Sequence, residues 1–432
     1  MVKLTVKETE RLEGDVKAPP SKAYTHRAVI AAALSEGKSV IINPLKCDDT
    51  EATIEACSML GARIKWNDQE SSLIIEGFSK PKAPSNIINC KGSGSTIRFL
   101  TPVCTLAEGI SVLTGDSSLR KRPIQPLLDA LNQLGAHCLS VGKNGKPPII
   151  VIGGGIKGGE ALLAGDISSQ FISGLLFAAP MAEMNTTIKV NTPLESKFYV
   201  KMTLETLKKH RIEVESSQRH DKFTVPCDQK FKPAKHVIEG DYSSAAFILA
   251  GASIMNSKVR VTDLKKQTLQ SDRAIVKILE EMGVSVSLSE KCIEVYGNSE
   301  GLKPIQVDLR DSPDLVPACV VLACFAKGKS IIRGVKRLKF KESDRLSTLV
   351  SEFRKMGAKI AVSDNSIVIE GSAKLHGAEL CSHRDHRVAM ACTVAALRAE
   401  GETIIHGIEC VRKSYPNFVE NLKVLGGKVI GW

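Results

Sequence analysis

Aromatic residues are scarce in this sequence: 4% of its 432 positions are Phe, Trp or Tyr, and only two are Trp. Its cores must therefore be built from aliphatic and alanine side chains, and few rings exist on which nucleobases could stack. Long apolar runs are also missing. None reaches the roughly 18 residues that a membrane span needs. The opening Met1-Val2-Lys3-Leu4-Thr5-Val6-Lys7 alternates as a strand does and carries no signal-peptide apolar core. Twelve cysteines are present without a C-x-x-C pair or any regular spacing, so neither a disulfide framework nor a zinc ribbon is indicated. Cys104, Cys319, Cys324 and Cys392 stand in apolar surroundings, as free thiols of a cytoplasmic protein do.

The charge balance is lopsided, at +12. Such an excess suits nucleic acid, anionic membranes or small acidic ligands. The basic residues are spread along the chain, with short clusters only at Arg120-Lys121-Arg122 and Lys336-Arg337-Leu338-Lys339-Phe340-Lys341. A basic tail is lacking. This distribution favours a cleft for a small, multiply charged anion over a nucleic-acid surface or a membrane.

What the chain does have is a repeat. Six times, a polar cluster runs into an apolar helix, then a small turn and a β-branched strand, then a second helix. The turn and strand read Glu36-Gly37-Lys38-Ser39-Val40-Ile41-Ile42 and return as Lys327-Gly328-Lys329-Ser330-Ile331-Ile332 and Glu400-Gly401-Glu402-Thr403-Ile404-Ile405. The second helices end at Gly61, Gly135, Arg211, Gly283, Gly357 and Gly426, spaced 74, 76, 72, 74 and 69 residues apart. A unit this long is a compound βα module rather than a solenoid repeat. Six modules divide into two sets of three. The residues before Pro19-Pro20 hold one strand, Leu4–Val6, and this is expected to complete a sheet of the second set. The chain is thus read as residues 1–19 joining the second lobe, 20–238 as the first lobe and 239–432 as the second. Gly153-Gly154-Gly155 with Gly158-Gly159 opens no helix and is read as a loop or hairpin, not a phosphate-binding fingerprint.

The polar clusters carry the chemistry. They are Ser21-Lys22-Ala23-Tyr24-Thr25-His26-Arg27, Gly92-Ser93-Gly94-Ser95-Thr96-Ile97-Arg98, Asp166-Ile167-Ser168-Ser169-Gln170, Gly240-Asp241-Tyr242-Ser243-Ser244, Asp311-Ser312-Pro313-Asp314 and Ser382-His383-Arg384-Asp385-His386-Arg387. Serine, aspartate and proline start helices by capping, and plain capping accounts for Ser243 and Ser244. It does not account for Lys22, Arg27, Arg98, His386 and Arg387, because the helix dipole disfavours cations at this end. Their placement suggests an anion that compensates them. Arg122, Lys341 and Lys413 recur at equivalent places in the modules. Asp314 and Glu342 are acids among these cations and could act as base and acid.

These residues resemble the 5-enolpyruvylshikimate-3-phosphate (EPSP) synthases along nearly the whole chain. The resemblance rests on Ser21-Lys22 with Arg27, Gly94-Ser95-Thr96-Ile97-Arg98, Arg122-Pro123-Ile124, Ser168-Ser169-Gln170, Pro313-Asp314 with Lys341-Glu342-Ser343-Asp344-Arg345-Leu346, and Asp385-His386-Arg387 with Lys413. It implies an α/β fold of two lobes, each of three βαβαββ units. It implies a cytoplasmic, monomeric enzyme of the shikimate pathway, without metal or cofactor. The reaction moves the enolpyruvyl group of phosphoenolpyruvate to the 5-hydroxyl of shikimate-3-phosphate by addition and elimination.

The resemblance also implies residue roles. Arg27 holds the shikimate carboxylate. Ser168, Ser169 and Ser196 hold its phosphate, Gln170 and Tyr199 flank its ring, and Asp314, Lys341 and Lys22 reach its hydroxyls. Phosphoenolpyruvate is surrounded by Lys22, Gly94, Arg122, Gln170, Arg345, His386, Arg387 and Lys413. Glu342 protonates the methylene carbon, and Asp314 with Lys22 takes the hydroxyl proton. Ala23 stands where many members have serine, Gly92 begins a loop where the family has an asparagine, and Arg337 stands where asparagine is common.

Two other functions fit parts of this pattern. The UDP-N-acetylglucosamine enolpyruvyl transferases are expected to carry a cysteine in the loop Ser117–Arg122, which here has none. An RNA-binding protein of related modules would account for the charge but needs neither Glu342 nor a compact anion site. The string Cys381, His383, His386 resembles a zinc motif without a fourth ligand.

Overall fold

The computed structural model describes residues 1–297, 301–371 and 374–432. Its contacts divide the chain into two units: Pro20–Ile238, and Met1–Pro19 together with Glu239–Trp432. Each unit holds three four-stranded sheets and its own aliphatic core.

All six sheets share one pattern, a parallel pair followed by two antiparallel neighbours. In Pro20–Ile238, for example, Lys235–Val237 lies parallel to Gly37–Ile42, which pairs antiparallel with Ser72–Gly77, which pairs antiparallel with Arg63–Asn67. Three of the βαβαββ modules are continuous in sequence. The other three borrow a strand. Lys235–Val237 supplies the first strand of the module that begins at Lys22. Glu13–Lys17 does the same for the module that begins at Tyr242. Lys3–Lys7 enters the last module between Glu402–His406 and Val429–Ile430.

The N-terminal segment therefore contributes two strands to two sheets, where one strand was expected. Glu13–Lys17 escapes sequence reading because it is a sheet edge with a single inward apolar residue, Val16. Its other side chains face solvent, where Asp15 meets Arg260 at 3.1 Å.

The first helix of each module is central and buried nearly all round. Every residue of Tyr242–Ser253, Val316–Cys324 and His386–Ala396 is buried. Alanine and other small side chains let such helices pack closely without aromatic filler. The second helices are amphipathic and cover the sheets. Each ends in the left-handed conformation at the recurring glycines: Gly61, Gly135, Gly283, Gly357 and Gly426 have φ between +83° and +114°. Arg211 takes the equivalent place at φ +62°.

The glycine run at 153–159 is a loop. Ile149–Gly153 and Gly159–Leu163 belong to different sheets, so the segment passes from one module to the next and forms no hairpin. No helix among the described residues is long and apolar enough to cross a membrane.

Candidate active site

In the unit Pro20–Ile238, three central helices start at capped N-termini. Ser21, Ser93 and Ser168 accept from the backbone N–H groups of Tyr24, Thr96 and Gln170. Each cap satisfies one N–H group of its first turn, and the partial positive charge at such a helix start favours an anion. Lys22 opens the first helix and pairs with Asp49 at 2.9 Å. Arg27 is buried one turn on. Its guanidinium donates to the Thr203 hydroxyl and to the carbonyls of Ala23 and Tyr199, each at 2.8 Å. Burial pushes Arg27 down to about 10, which still leaves it charged.

Gln170 links two of the helices. It accepts from Arg98 at 2.7 Å and donates to Ser95 at 2.9 Å. Ser168 and Ser169 are buried at the same helix start. Ser196, also buried, sits at φ +56° just before the helix Lys197–Lys209, which carries Tyr199. Gly94 faces Arg122 so closely that a Cβ there would lie 2.9 Å from its Nη1.

In the other unit the charged groups form one network. Arg345 is 1% exposed and grips three carboxylates. Its Nε lies 2.9 Å from Asp385, its Nη1 3.0 Å from Asp314 and its Nη2 2.5 Å from Glu342. Asp314 also meets Lys341 at 3.3 Å and Arg387 at 3.1 Å. Arg387 donates further to the Ser243 hydroxyl at 2.8 Å. Asp385 caps the helix His386–Ala396.

Burial alone would raise the Asp314 carboxyl. The charges of Arg387, Lys341 and Arg345 outweigh it and hold Asp314 well below the usual carboxylate range. Burial lowers the Lys341 ammonium, and Asp314 offsets this only in part. Burial works against the Arg345 charge too, but Asp385, Glu342 and Asp314 outweigh it and raise its pKa. Lys413 is buried at the end of the short helix Ile408–Lys413.

A family model described as EPSP synthase (3-phosphoshikimate 1-carboxyvinyltransferase) matches residues 6–422. The chain belongs to the EPSP synthase family. A 3-phosphoshikimate 1-carboxyvinyltransferase of Methanocaldococcus jannaschii is 44% identical over 99% of both chains. One from Methanococcoides burtonii is 40% identical over 97% of both. The solved EPSP synthase of Acinetobacter baumannii superimposes with a TM-score of 0.82 at 27% identity, over 100% of both chains. An enolpyruvyl transferase of Streptomyces tendae shares the fold at a TM-score of 0.81 and 18% identity.

For an EPSP synthase, several expectations change. The helix-start cations do not wait uncompensated for a ligand: Lys22 has Asp49, and Arg387 has Asp314. Ser243 and Ser244 are not the caps of their helix. Asp241 is, and Ser243 instead accepts from Arg387. His383 of the zinc-like string turns to Glu352 at 2.9 Å. Glu342, Asp385 and His386 do offer ligand atoms within 4.8 Å of one another. The two carboxylates, however, already hold Arg345.

Sequence reading missed Asp49, Thr203 and the clamp role of Asp385. The acidic pair Asp48-Asp49 at a helix start was a visible signal for the first. Thr203 gave none, because its contact with Arg27 spans 176 positions.

Proposed function

We propose that the chain catalyses the reaction its family name describes: carboxyvinyl transfer from phosphoenolpyruvate to the 5-hydroxyl of shikimate-3-phosphate, releasing phosphate. The observation that carries this reading is the Arg345 network. It brings the two candidate proton-transfer acids, Asp314 and Glu342, onto one guanidinium, with Lys341 and Arg387 alongside.

The binding roles follow the same reading. Arg27, Ser168, Ser169, Gln170, Ser196 and Tyr199 hold shikimate-3-phosphate, with Asp314, Lys341 and Lys22 at its hydroxyls. Lys22, Gly94, Arg122, Gln170, Arg345, His386, Arg387 and Lys413 receive phosphoenolpyruvate. Two anions that repel each other in water are neutralised by this array, and charge on the departing phosphate is stabilised. All twelve cysteines are free, which supports a reducing cytoplasm as the place of action.

In the addition step the 5-oxygen bonds to C2 of phosphoenolpyruvate while C3 gains a proton and becomes a methyl group. In the elimination step the methyl group loses a proton and the C2–O bond to phosphate breaks. Glu342 delivers and recovers the C3 proton. Three carboxylates and three cations meet in the network, so an arriving anion favours protonation of one of its carboxylates. Asp314 accepts the hydroxyl proton. Its depressed pKa keeps it ionised and ready, yet makes it a weak base. Proton removal is therefore concerted with C–O bond formation.

Phosphate release from phosphoenolpyruvate should depend on shikimate-3-phosphate and not respond to UDP-N-acetylglucosamine. Glu342→Gln and Asp314→Asn should each lower kcat by about 10²- to 10⁴-fold, the usual weight of general acid–base catalysis. Binding of shikimate-3-phosphate by calorimetry should persist in both. Near-normal turnover in both variants would remove the acid and base assignments.

A further inference from the structure

The helix Arg345–Lys355 presents two buried, oppositely charged side chains two turns apart, and both reach the segment that leads into His386–Ala396. Arg345 takes Asp385. Glu352, whose side chain is 1% exposed, takes the other end of the segment. Its Oε2 accepts from the Cys381 N–H at 2.9 Å, and its Oε1 meets His383 Nε2 at 2.9 Å. Lys355 completes the carboxylate's partners at 2.8 and 2.9 Å. A buried carboxylate is retained at this position only because all its lone pairs find donors.

The segment it holds is unusual. His383 and Arg384 are consecutive non-glycine residues in the left-handed region, at φ +52° and +57°. Side chains disfavour that conformation, and it persists where surrounding contacts impose it. The contacts that impose it are His383 N–H to Cys381 Sγ at 3.4 Å, Arg384 N–H to Ser382 Oγ at 3.2 Å, Asp385 N–H to the Ser382 carbonyl at 2.9 Å, and the Glu352 grip. The very next residue is Asp385, which caps the helix carrying His386 and Arg387 and orients Arg345 through two oxygens. A loosened turn would shift the Asp385 carboxylate and, with it, the guanidinium that Asp314 and Glu342 share.

We propose that Glu352 is a positioning residue for the transfer reaction. With His383 it fixes the left-handed turn at 383–384, and through Asp385 it sets the aim of Arg345 and Arg387 on phosphoenolpyruvate. The inference rests on the assignment of Arg345 and Arg387 to that substrate.

The test is steady-state kinetics of Glu352→Gln, which keeps the side chain's size but loses its charge. It should lower kcat/KM for phosphoenolpyruvate by roughly 10- to 100-fold, as small misplacements of binding groups do. The KM for shikimate-3-phosphate should stay within about twofold, and deuterium uptake should rise at 381–387. His383→Ala changes a side chain that is 37% exposed and keeps the test open if Glu352→Gln does not fold. It should show the same split to a lesser degree, and the double variant should be no worse than Glu352→Gln alone.

Unchanged phosphoenolpyruvate kinetics in either folded variant would overturn the inference. So would a loss that follows the folded fraction with both KM values constant. Arg345→Lys separates the two levels. If it too leaves phosphoenolpyruvate kinetics intact, the substrate assignment fails and the inference with it. If it cripples that substrate while Glu352→Gln and His383→Ala do not, only the role of Glu352 falls.

Discussion

Gly94 shows how one missing Cβ shapes the chemistry around it. A methyl group there would stand 2.9 Å from Nη1 of Arg122 and 3.5 Å from Nη1 of Arg98. Both are ends of flexible side chains, so Gly94→Ala should fold and melt like the parent. The displaced Arg122 guanidinium would no longer meet its anion in the same place. The expected outcome is a KM for phosphoenolpyruvate raised roughly tenfold, with the KM for shikimate-3-phosphate unchanged. Parent-like KM values for both substrates would remove Arg122 from the phosphoenolpyruvate side. Single residues of this kind were legible in the chain as motifs, but the pairings between them were not. Lys22 and Arg387 stood out as cations at helix starts, and Arg345 as part of the Lys341–Leu346 motif; Asp49, Ser243 and Asp385, which engage them, lie 27, 144 and 40 positions away. Pairings at such separations are set by how modules stack, and no local periodicity reports them. Their mutual burial also decides how Asp314 is best altered. Truncating one member of a buried ion network leaves the others unpaired and costs about 3–5 kcal/mol, so the isosteric asparagine separates chemistry from folding better than alanine.

At the scale of elements, local rules carried the reading well. The recurring helix ends are left-handed because a glycine follows the last turn, and only Arg211 accepts that conformation with a side chain, at roughly 1–2 kcal/mol. Strands without a pattern of their own, such as Glu13–Lys17 and Lys235–Val237, were invisible because each buries a single side chain, Val16 or His236, and is recruited mainly by backbone pairing. The second of these brings a titratable pair with it. His236 Nε2 lies 2.9 Å from Nε2 of His210, which ends the helix Lys197–Lys209. Nδ1 of His210 faces the Lys232 carbonyl at 2.8 Å and must carry the proton there. His210 Nε2 is then the acceptor and His236 Nε2 the donor, and burial keeps both rings neutral near pH 7. Burial pushes His210 down to about 4, with Lys209 adding to it and the Lys232 carbonyl opposing. Burial, then His210 and Lys209, pushes His236 down to about 3. Folded values below the unfolded 6.5 mean that the unfolded chain binds protons first as pH falls. Stability is therefore full above pH 6.5 and declines from there to about pH 4. Each ring costs about 1.4 kcal/mol for every pH step of one across that window, because only the unfolded chain takes up its proton there. Urea midpoints measured by fluorescence between pH 7.5 and 4.5 should fall accordingly. Replacing His236 with phenylalanine should flatten the fall, and an unchanged slope would assign the acid sensitivity elsewhere.

The whole molecule is asymmetric in how its two units are wired. Residues 20–238 are continuous, and among the described residues their core draws on none outside that span. Expressed alone, they should fold with a single cooperative urea transition and bind shikimate-3-phosphate, since the groups proposed to hold its phosphate and carboxylate all lie there. The other unit depends on a segment more than two hundred residues away in sequence. Lys3–Lys7 is an interior strand flanked on both sides by ladders to Glu402–His406 and Val429–Ile430. Leu4, Val6 and Leu12 are wholly buried in its core. Each such side chain contributes about 1.5–3 kcal/mol by burial, before the cavities left by its removal. Together with these two ladders and the one between Glu13–Lys17 and Lys258–Thr262, this approaches the roughly 5–15 kcal/mol that holds a typical domain. A chain lacking residues 1–19 should therefore keep hydrogen-exchange protection across 20–238 and lose it across 239–432, with catalysis abolished because Asp314, Glu342 and Arg345 are no longer held. Protection that survived in both spans would mean that the first two strands decorate the unit rather than complete it.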